Sequence, residues 1–379
     1  MADHGIMDVW HYNHPTHIIF HTGAMKRIAR VLESQNLDGG VLVSTPHFVK
    51  NGYAQAVLDH AEGRILAVFS DVEPNPTVHN VDACAKVLRE TGAKFVIALG
   101  GGSVIDCAKA AATVCTTNDS IRVYHGTGVE LPETHLPLIC VPTTAGTGSE
   151  VTAVSVLSDP ELDKKAPISS KNFYPTYAII DAELTFSVPA RVTAITGFDV
   201  LCHAMEAFWN VDHQPICDAL GEYALGKVFE NLRTAVSHGN DSHARERMAE
   251  ASVIAGLAFN RTKTTSAHAC SYPLTSMFHI PHGEACAMTI DHFLRINTSC
   301  QDGRLEKLAK RMFFSSVDAM ADDITAMKQE FGLRTDLKDF HVDRKTLDEL
   351  VAACHHPNML LNPVEITDEM LYDMFGKMI

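Results

Sequence analysis

Residues 94–99, KFVIAL, run without a spacer into GGGSVIDCAKAAA, a glycine run that opens a helix. A short, almost wholly apolar strand calls for burial on both faces, and a strand turning at once into a helix is the repeating step of a parallel sheet covered by helices. Three adjacent glycines let backbone N–H groups approach an anion closely, and the helix N-terminus adds its partial positive charge. Gly100, Gly101 and Gly102 therefore form a candidate diphosphate cradle. Ser103 can donate to a phosphate oxygen, and Asp106 lies one turn into the helix.

The flanking sequence supports a doubly wound sheet. Strand-like runs at 17–20, 40–45, 65–69, 138–141 and 177–180 alternate with helical patterns at 25–33, 54–62 and 78–91. The strand at 138–141 is followed by PTTAGTGSEVT, a second donor-rich loop of the kind such a sheet presents at its ligand edge. Two such loops on successive strands point to a dinucleotide.

Beyond about residue 185 the pattern changes to long helical runs, at 194–209, 217–236, 244–259, 305–312 and 319–331, with a capped helix in the tail. The expected architecture is an α/β dinucleotide-binding domain over residues 1–185, Rossmann-like with a parallel sheet. An all-α metal- and substrate-binding domain follows over 186–379.

The segment FDVLCHAMEAF places Asp199 and His203 four residues apart on a helix, so a carboxylate and an imidazole project from nearly one face. His268 and His282 follow. On one continuous helix they would stand about 21 Å apart, but Pro273, Pro281 and Gly283 offer places for the chain to fold back. One Asp and three His form an N/O set suited to Fe²⁺, Zn²⁺ or Mn²⁺.

A chain of 379 residues with 46% hydrophobic and 20% charged residues can bury two sizeable cores. Its formal net charge of −15 disfavours nucleic acid as a partner. The ten cysteines include no CxxC pair, which fits reduced thiols in a cytoplasm. There is no long apolar run and no apolar leader in MADHGIMDVWHYNHPTH, so neither a membrane span nor export is expected.

Taken together and in order, GGGS-xx-D, PTTAGTGSE, D-xxx-HA-xE and PHG resemble the iron-dependent (group III) alcohol dehydrogenase family over nearly the whole chain. The resemblance implies Asp199, His203, His268 and His282 as metal ligands. It further implies a cofactor site made by Gly100, Gly101, Gly102, Ser103 and Asp106 with Thr143, Thr144, Thr147 and Ser149, joined by Lys165 of DKKAP. A homodimer is also expected from it.

Two positions depart from the family pattern. Thr45 stands where many NAD-preferring members have an aspartate, which leaves NADH and NADPH both open; the absence of an adjoining Arg or Lys favours NADH, and His47 is nearby. Tyr272 replaces a histidine associated with proton relay, and a phenol or a chain of waters can carry that proton instead. His279 is a further candidate.

The stretch NRTKTTSAHACSYPLT places Arg261 and Lys263 among the hydroxyls of Thr262, Thr264, Thr265 and Ser266, just before His268. Two cations amid hydroxyls in an acidic protein suggest an oxyanion pocket. The string is similar to the branch of the family that reduces aldehydes bearing a sulfonate or phosphonate. Sulfoacetaldehyde is the first expectation, ahead of phosphonoacetaldehyde and a carboxylated semialdehyde. A general short-chain alcohol dehydrogenase is an alternative, and a lyase or cyclase resembling dehydroquinate synthases is a rival from another class.

Overall fold

The computed structural model describes residues 10–162, 164–300 and 302–379. Most of the N-terminal stretch read for a leader lies outside the described residues. The chain forms two units, Asn13–Phe186 and Ser187–Ile379, the second joined by residues 10–12.

In the first unit the strands are β1 (His17–Phe20), β2 (Gly40–Val43), β3 (Ile65–Phe69), β4 (Phe95–Gly100), β5 (Leu138–Pro142), β6 (Val154–Asp159), β7 (Lys164–Ser169) and β8 (Tyr177–Ile180). Its helices are α1 (Ile28–Ser34), α2 (Pro46–Lys50), α3 (Tyr53–His60), α4 (Val78–Thr91) and α5 (Gly102–Val114). Six strands make one parallel sheet in the order β1-β8-β5-β4-β2-β3.

Alternation along the strands splits the core between the two faces. Val41, Val43, Val96, Ala98, Leu138 and Cys140 join the apolar side of α4 and α5. Leu42, Ile97, Leu99, Ile139, Val141 and Ile179 join that of α1 and α3. From β2 the chain passes to β3 on one side and then returns to β4 on the other, so the strand order reverses between β2 and β4. Ligands bind at the carboxyl ends of strands around such a switch point. Thr45 follows β2 there, and Gly100, Gly101 and Gly102 follow β4.

The remaining two strands form an antiparallel hairpin, β6–β7, which the sequence pattern did not reveal. Its second strand, KKAPIS, carries two lysines and a proline and reads as polar loop.

The second unit is helical: α6 (Ala190–Trp209), α7 (Pro215–Ser237), α8 (Ser242–Thr262), α9 (Ser266–Phe278), α10 (His282–Asn297), α11 (Arg304–Arg311), α12 (Val317–Glu330), α13 (Arg344–Ala353) and α14 (Asp368–Gly376). Helix α6 is buried along most of its length and packs against α7, α8 and α10. Pro273 does not fold the chain back as expected; it lies inside α9. The reversal comes at His279, which takes a left-handed φ of 55°, and α10 restarts after Pro281. Among the described residues no helix is long and apolar enough to cross a membrane.

Candidate metal centre and cofactor loops

Asp199 and His203 lie one turn apart on α6, both almost fully buried. Helices α9 and α10 bring His268 and His282 to them. The Nε2 atoms of His203, His268 and His282 stand 3.9, 3.6 and 3.8 Å from one atom, Asp199 Oδ1. With metal–ligand bonds of about 2.1 Å, the ligand–ligand edge of a tetrahedron is about 3.4 Å, so the three distances to Asp199 Oδ1 are near those of donors gathered about one ion. Asp199, His268 and His282 also belong to a set whose donor atoms all lie within 4.8 Å of one another, and His203 falls outside that set.

Hydrogen bonding agrees with that reading. Asp199 Oδ1 and His268 Nε2 are buried without a hydrogen-bond partner, and buried polar atoms rarely stay so unless something else satisfies them. Burial opposes the Asp199 charge, yet the surrounding imidazoles hold its carboxyl well below the usual carboxylate range. Burial, with the repulsion of His268 and His282, brings His203 down to about 4 against the pull of Asp199. A divalent ion needs its imidazoles neutral; burial lowers His268 and His282, but the anionic groups around them raise both above the usual imidazole range, so an ion would bind there by displacing protons.

Glu206, seven residues after Asp199 on α6, is completely buried. Its Oε1 accepts hydrogen bonds from the backbone N–H of Ala267 (2.7 Å) and His268 (3.2 Å), satisfying two first-turn donors of α9. Its Oε2 accepts from His268 Nδ1. One carboxylate thus caps the helix that carries His268 and turns its Nε2 toward Asp199, as carboxylates behind metal-bound histidines do. The sequence reading quoted Glu206 inside HA-xE without giving it a task; its spacing of three from His203 was the available signal.

Cys286 was missed. It lies one turn after His282 on α10, and its sulfur, with the donor atoms of Asp199, His268 and His282, falls in a cluster within 4.8 Å.

Tyr272 is half-buried, its ring parallel to that of His282 with centroids 6.2 Å apart. The His356 ring lies tilted at 51° to it, with centroids 4.8 Å apart. Burial pushes its phenol up, so it stays protonated at neutral pH. His279 serves as the left-handed cap of α9.

The hydroxyls of 261–266 and the Arg261 cation, expected to form an oxyanion pocket, have partners within the protein. Thr265 accepts from Trp209 Nε1 at 2.7 Å and donates to Glu206 at 3.0 Å, so its hydroxyl helps to position His268. Thr264 accepts from Asn358, Ser266 donates to Asn362 and Thr262 donates to the Lys263 carbonyl. Arg261 donates to the His11 carbonyl at 3.3 Å. These hydroxyls find partners because they surround the buried end of α8 and the start of α9, where backbone and side-chain groups need them. Lys263 is exposed, at φ 67° beyond the end of α8.

In the first unit the two predicted loops meet. A Cβ on Gly101 would lie 3.1 Å from Thr144 Oγ1, and one on Gly102 only 2.7 Å from Thr147 Cγ2. The missing side chains are what let the hydroxyl loop lie against the start of α5. Thr143 Oγ1 is buried without a partner. Ser103 accepts from the Asn75 N–H at 3.3 Å, Lys165 Nζ donates to Asn75 Oδ1 at 2.8 Å, and Ser44 ties the ends of β2 and β4 by donating to the Leu99 carbonyl. These residues fit a nucleotide's phosphates, with Thr45 at the neighbouring strand end.

Asp106 and Ser149 are hydrogen-bonded to each other. Ser149 donates to Asp106 Oδ1 at 2.5 Å, and the other carboxylate oxygen accepts from the Val156 N–H at 2.9 Å, anchoring the β6–β7 hairpin. Buried Lys109, which the sequence reading passed over, donates to Ser149, Thr152 and the Val154 carbonyl.

Comparison with known proteins settles the family. The profile of the iron-containing alcohol dehydrogenases matches residues 15–182, and that of the Fe-containing alcohol dehydrogenase family C-terminal region matches 193–379. The chain belongs to the iron-containing alcohol dehydrogenase family. Its α/β and helical units are those of the family, as is its chemistry, the interconversion of alcohols and aldehydes. A sulfoacetaldehyde reductase of Bilophila wadsworthia is 32% identical over 359 residues, covering 91% of this chain and 92% of the relative. Alcohol dehydrogenase 4 of Saccharomyces cerevisiae is 31% identical over 366 residues, covering 94% and 95%. Among solved structures, the sulfoacetaldehyde reductase of Bifidobacterium kashiwanohense in complex with NAD⁺ superposes with a TM-score of 0.96 at 50% identity, covering 98% of each chain.

Proposed function

We propose that this iron-containing alcohol dehydrogenase reduces sulfoacetaldehyde to isethionate with NADH, consuming one proton and releasing NAD⁺. The observation that carries the substrate is the likeness to the Bifidobacterium reductase, half of whose residues are shared over 98% of the chain.

In this reading Asp199, His203, His268 and His282 hold one divalent ion. Such an ion supplies Lewis acidity toward a carbonyl oxygen. NADH, with its phosphates against Gly100, Gly101, Gly102 and Ser103 and the hydroxyls of Thr143, Thr144 and Thr147, supplies the hydride. Glu206 keeps the proton of His268 on Nδ1. The Tyr272 hydroxyl, beside His282, donates the proton that the product alcohol gains. Of the groups first read as an oxyanion pocket, the Lys263 ammonium is the one we retain for the sulfonate.

The test is NADH oxidation by the metal-loaded protein with sulfoacetaldehyde, phosphonoacetaldehyde, succinate semialdehyde and butanal. A kcat/KM at least tenfold higher for sulfoacetaldehyde than for butanal is expected. Equal values would remove the anionic substrate and leave a general alcohol dehydrogenase.

A further inference from the structure

Cys286 is buried at the metal site and is used by nothing described so far. It projects from α10 one turn beyond His282, on the same helix face. Its Sγ lies 3.9 Å from His282 Nε2. In the cluster it forms with Asp199, His268 and His282, every donor atom lies within 4.8 Å of every other. With a metal–sulfur bond of about 2.3 Å and a metal–nitrogen bond of about 2.1 Å, the sulfur–nitrogen edge of a site with five donors is about 3.1–3.6 Å. The approach to His282 is already near that value, and a side-chain adjustment of up to about 1 Å would bring the sulfur to the other donors.

The surroundings leave the thiol little else to do. The sulfur's partners are the imidazole nitrogens of His282 and His268, the atoms an ion would take. On the opposite edge of the His282 ring, Ser271 Oγ stands 3.3 Å from Nδ1, and behind the site Glu206 fixes Nδ1 of His268. Once an ion occupies the nitrogens facing the sulfur, the buried sulfur loses these partners, and a bond to the ion would replace them and release the thiol proton.

We infer that Cys286 is a thiolate ligand of the metal in this protein, added to the Asp199 and histidine donors, and that it biases the site toward the softer ions Zn²⁺ and Co²⁺ over Mn²⁺. Thiolate favours the former, whereas an all-N/O site discriminates less. The inference rests on the metal reading of Asp199, His203, His268 and His282.

The experiment is titration of the metal-free protein with Co²⁺, read by absorption. One bound equivalent gives the visible d–d bands of the ion together with a near-ultraviolet sulfur-to-cobalt charge-transfer band. Cys286→Ser and Cys286→Ala lose the charge-transfer band and keep the bound equivalent, whereas Cys202→Ser keeps both. In competition, wild type prefers Zn²⁺ to Mn²⁺ by at least tenfold more than Cys286→Ser does. One equivalent of Co²⁺ bound with no charge-transfer band in wild type, or a band that persists in Cys286→Ser, would overturn the role of Cys286 while leaving the site intact. Failure to bind Co²⁺, or binding undiminished by Asp199→Ala, would overturn the metal reading itself.

Discussion

Glu206 shows how one side chain can set the geometry of a site it does not line. Its carboxylate meets two N–H groups of α9, the Thr265 hydroxyl and the His268 ring, all in full burial. Glu206→Gln preserves the volume but can accept through only one atom, and it invites the wrong His268 tautomer. Metal affinity is expected to fall 10- to 100-fold, measured by competition with a chromophoric chelator; unchanged affinity would make Glu206 a packing residue. Glu150 offers a different residue-scale test. It is buried behind the hydroxyl loop, and burial raises its carboxyl to about 7, opposed by Lys109. The folded protein therefore binds the Glu150 proton more tightly than the unfolded chain. That stabilisation is present at pH 4–5 and is lost as pH rises toward and through 7. Glu150→Gln should match wild type near pH 5 and exceed it by about 2–3 kcal/mol at pH 8, read from urea midpoints at both pH values; a pH-independent difference would contradict the assignment.

At the scale of elements, close helix approach builds the metal centre. A Cβ on Gly283 would lie 2.3 Å from the Ile195 carbonyl oxygen and 3.2 Å from Asp199 Cβ. Gly283→Ala must therefore push the start of α10 away from α6 and carry His282 off Asp199. A loss of at least one order of magnitude in metal affinity is expected by the same competition assay, and retention would show that α10 can shift without cost to the site. The sequence showed the elements of the sheet well, because runs such as VLV and VIAL are bounded by glycine and polar turns. It hid the β6–β7 hairpin, whose second strand is half charge and proline. It also misplaced the chain reversal, since a proline one can read as a breaker sits quietly in α9 while a histidine makes the turn. The four proposed metal donors stand out in the sequence by type and, for Asp199 and His203, as a helix face. The fate of the Thr262–Ser266 hydroxyls does not, because sequence lists donors without saying which backbone and side-chain groups will consume them. Cys286 was hidden among ten scattered cysteines for the same reason: only the packing of α10 on α6 and α9 puts it at the site.

For the whole molecule, the proposed nucleotide and metal sites belong to different units of one chain. Substitutions should separate them. Gly102→Ala, whose new Cβ meets Thr147, should raise the NADH dissociation constant at least tenfold by fluorescence titration and leave metal affinity unchanged. Gly283→Ala should do the reverse; a variant that loses both would show that each site depends on the other. The reaction needs both sites, which makes its dependence on the metal the central claim. The most direct measurement is titration of metal-free protein with Fe²⁺ or Zn²⁺ under anaerobic conditions, following NADH oxidation by sulfoacetaldehyde, in wild type and His268→Ala. The rate should rise from near zero to a plateau at one equivalent in wild type and stay near zero in the variant, which still binds NADH. Full turnover by metal-free protein, or a normal rate and one tightly held equivalent in His268→Ala, would contradict the account.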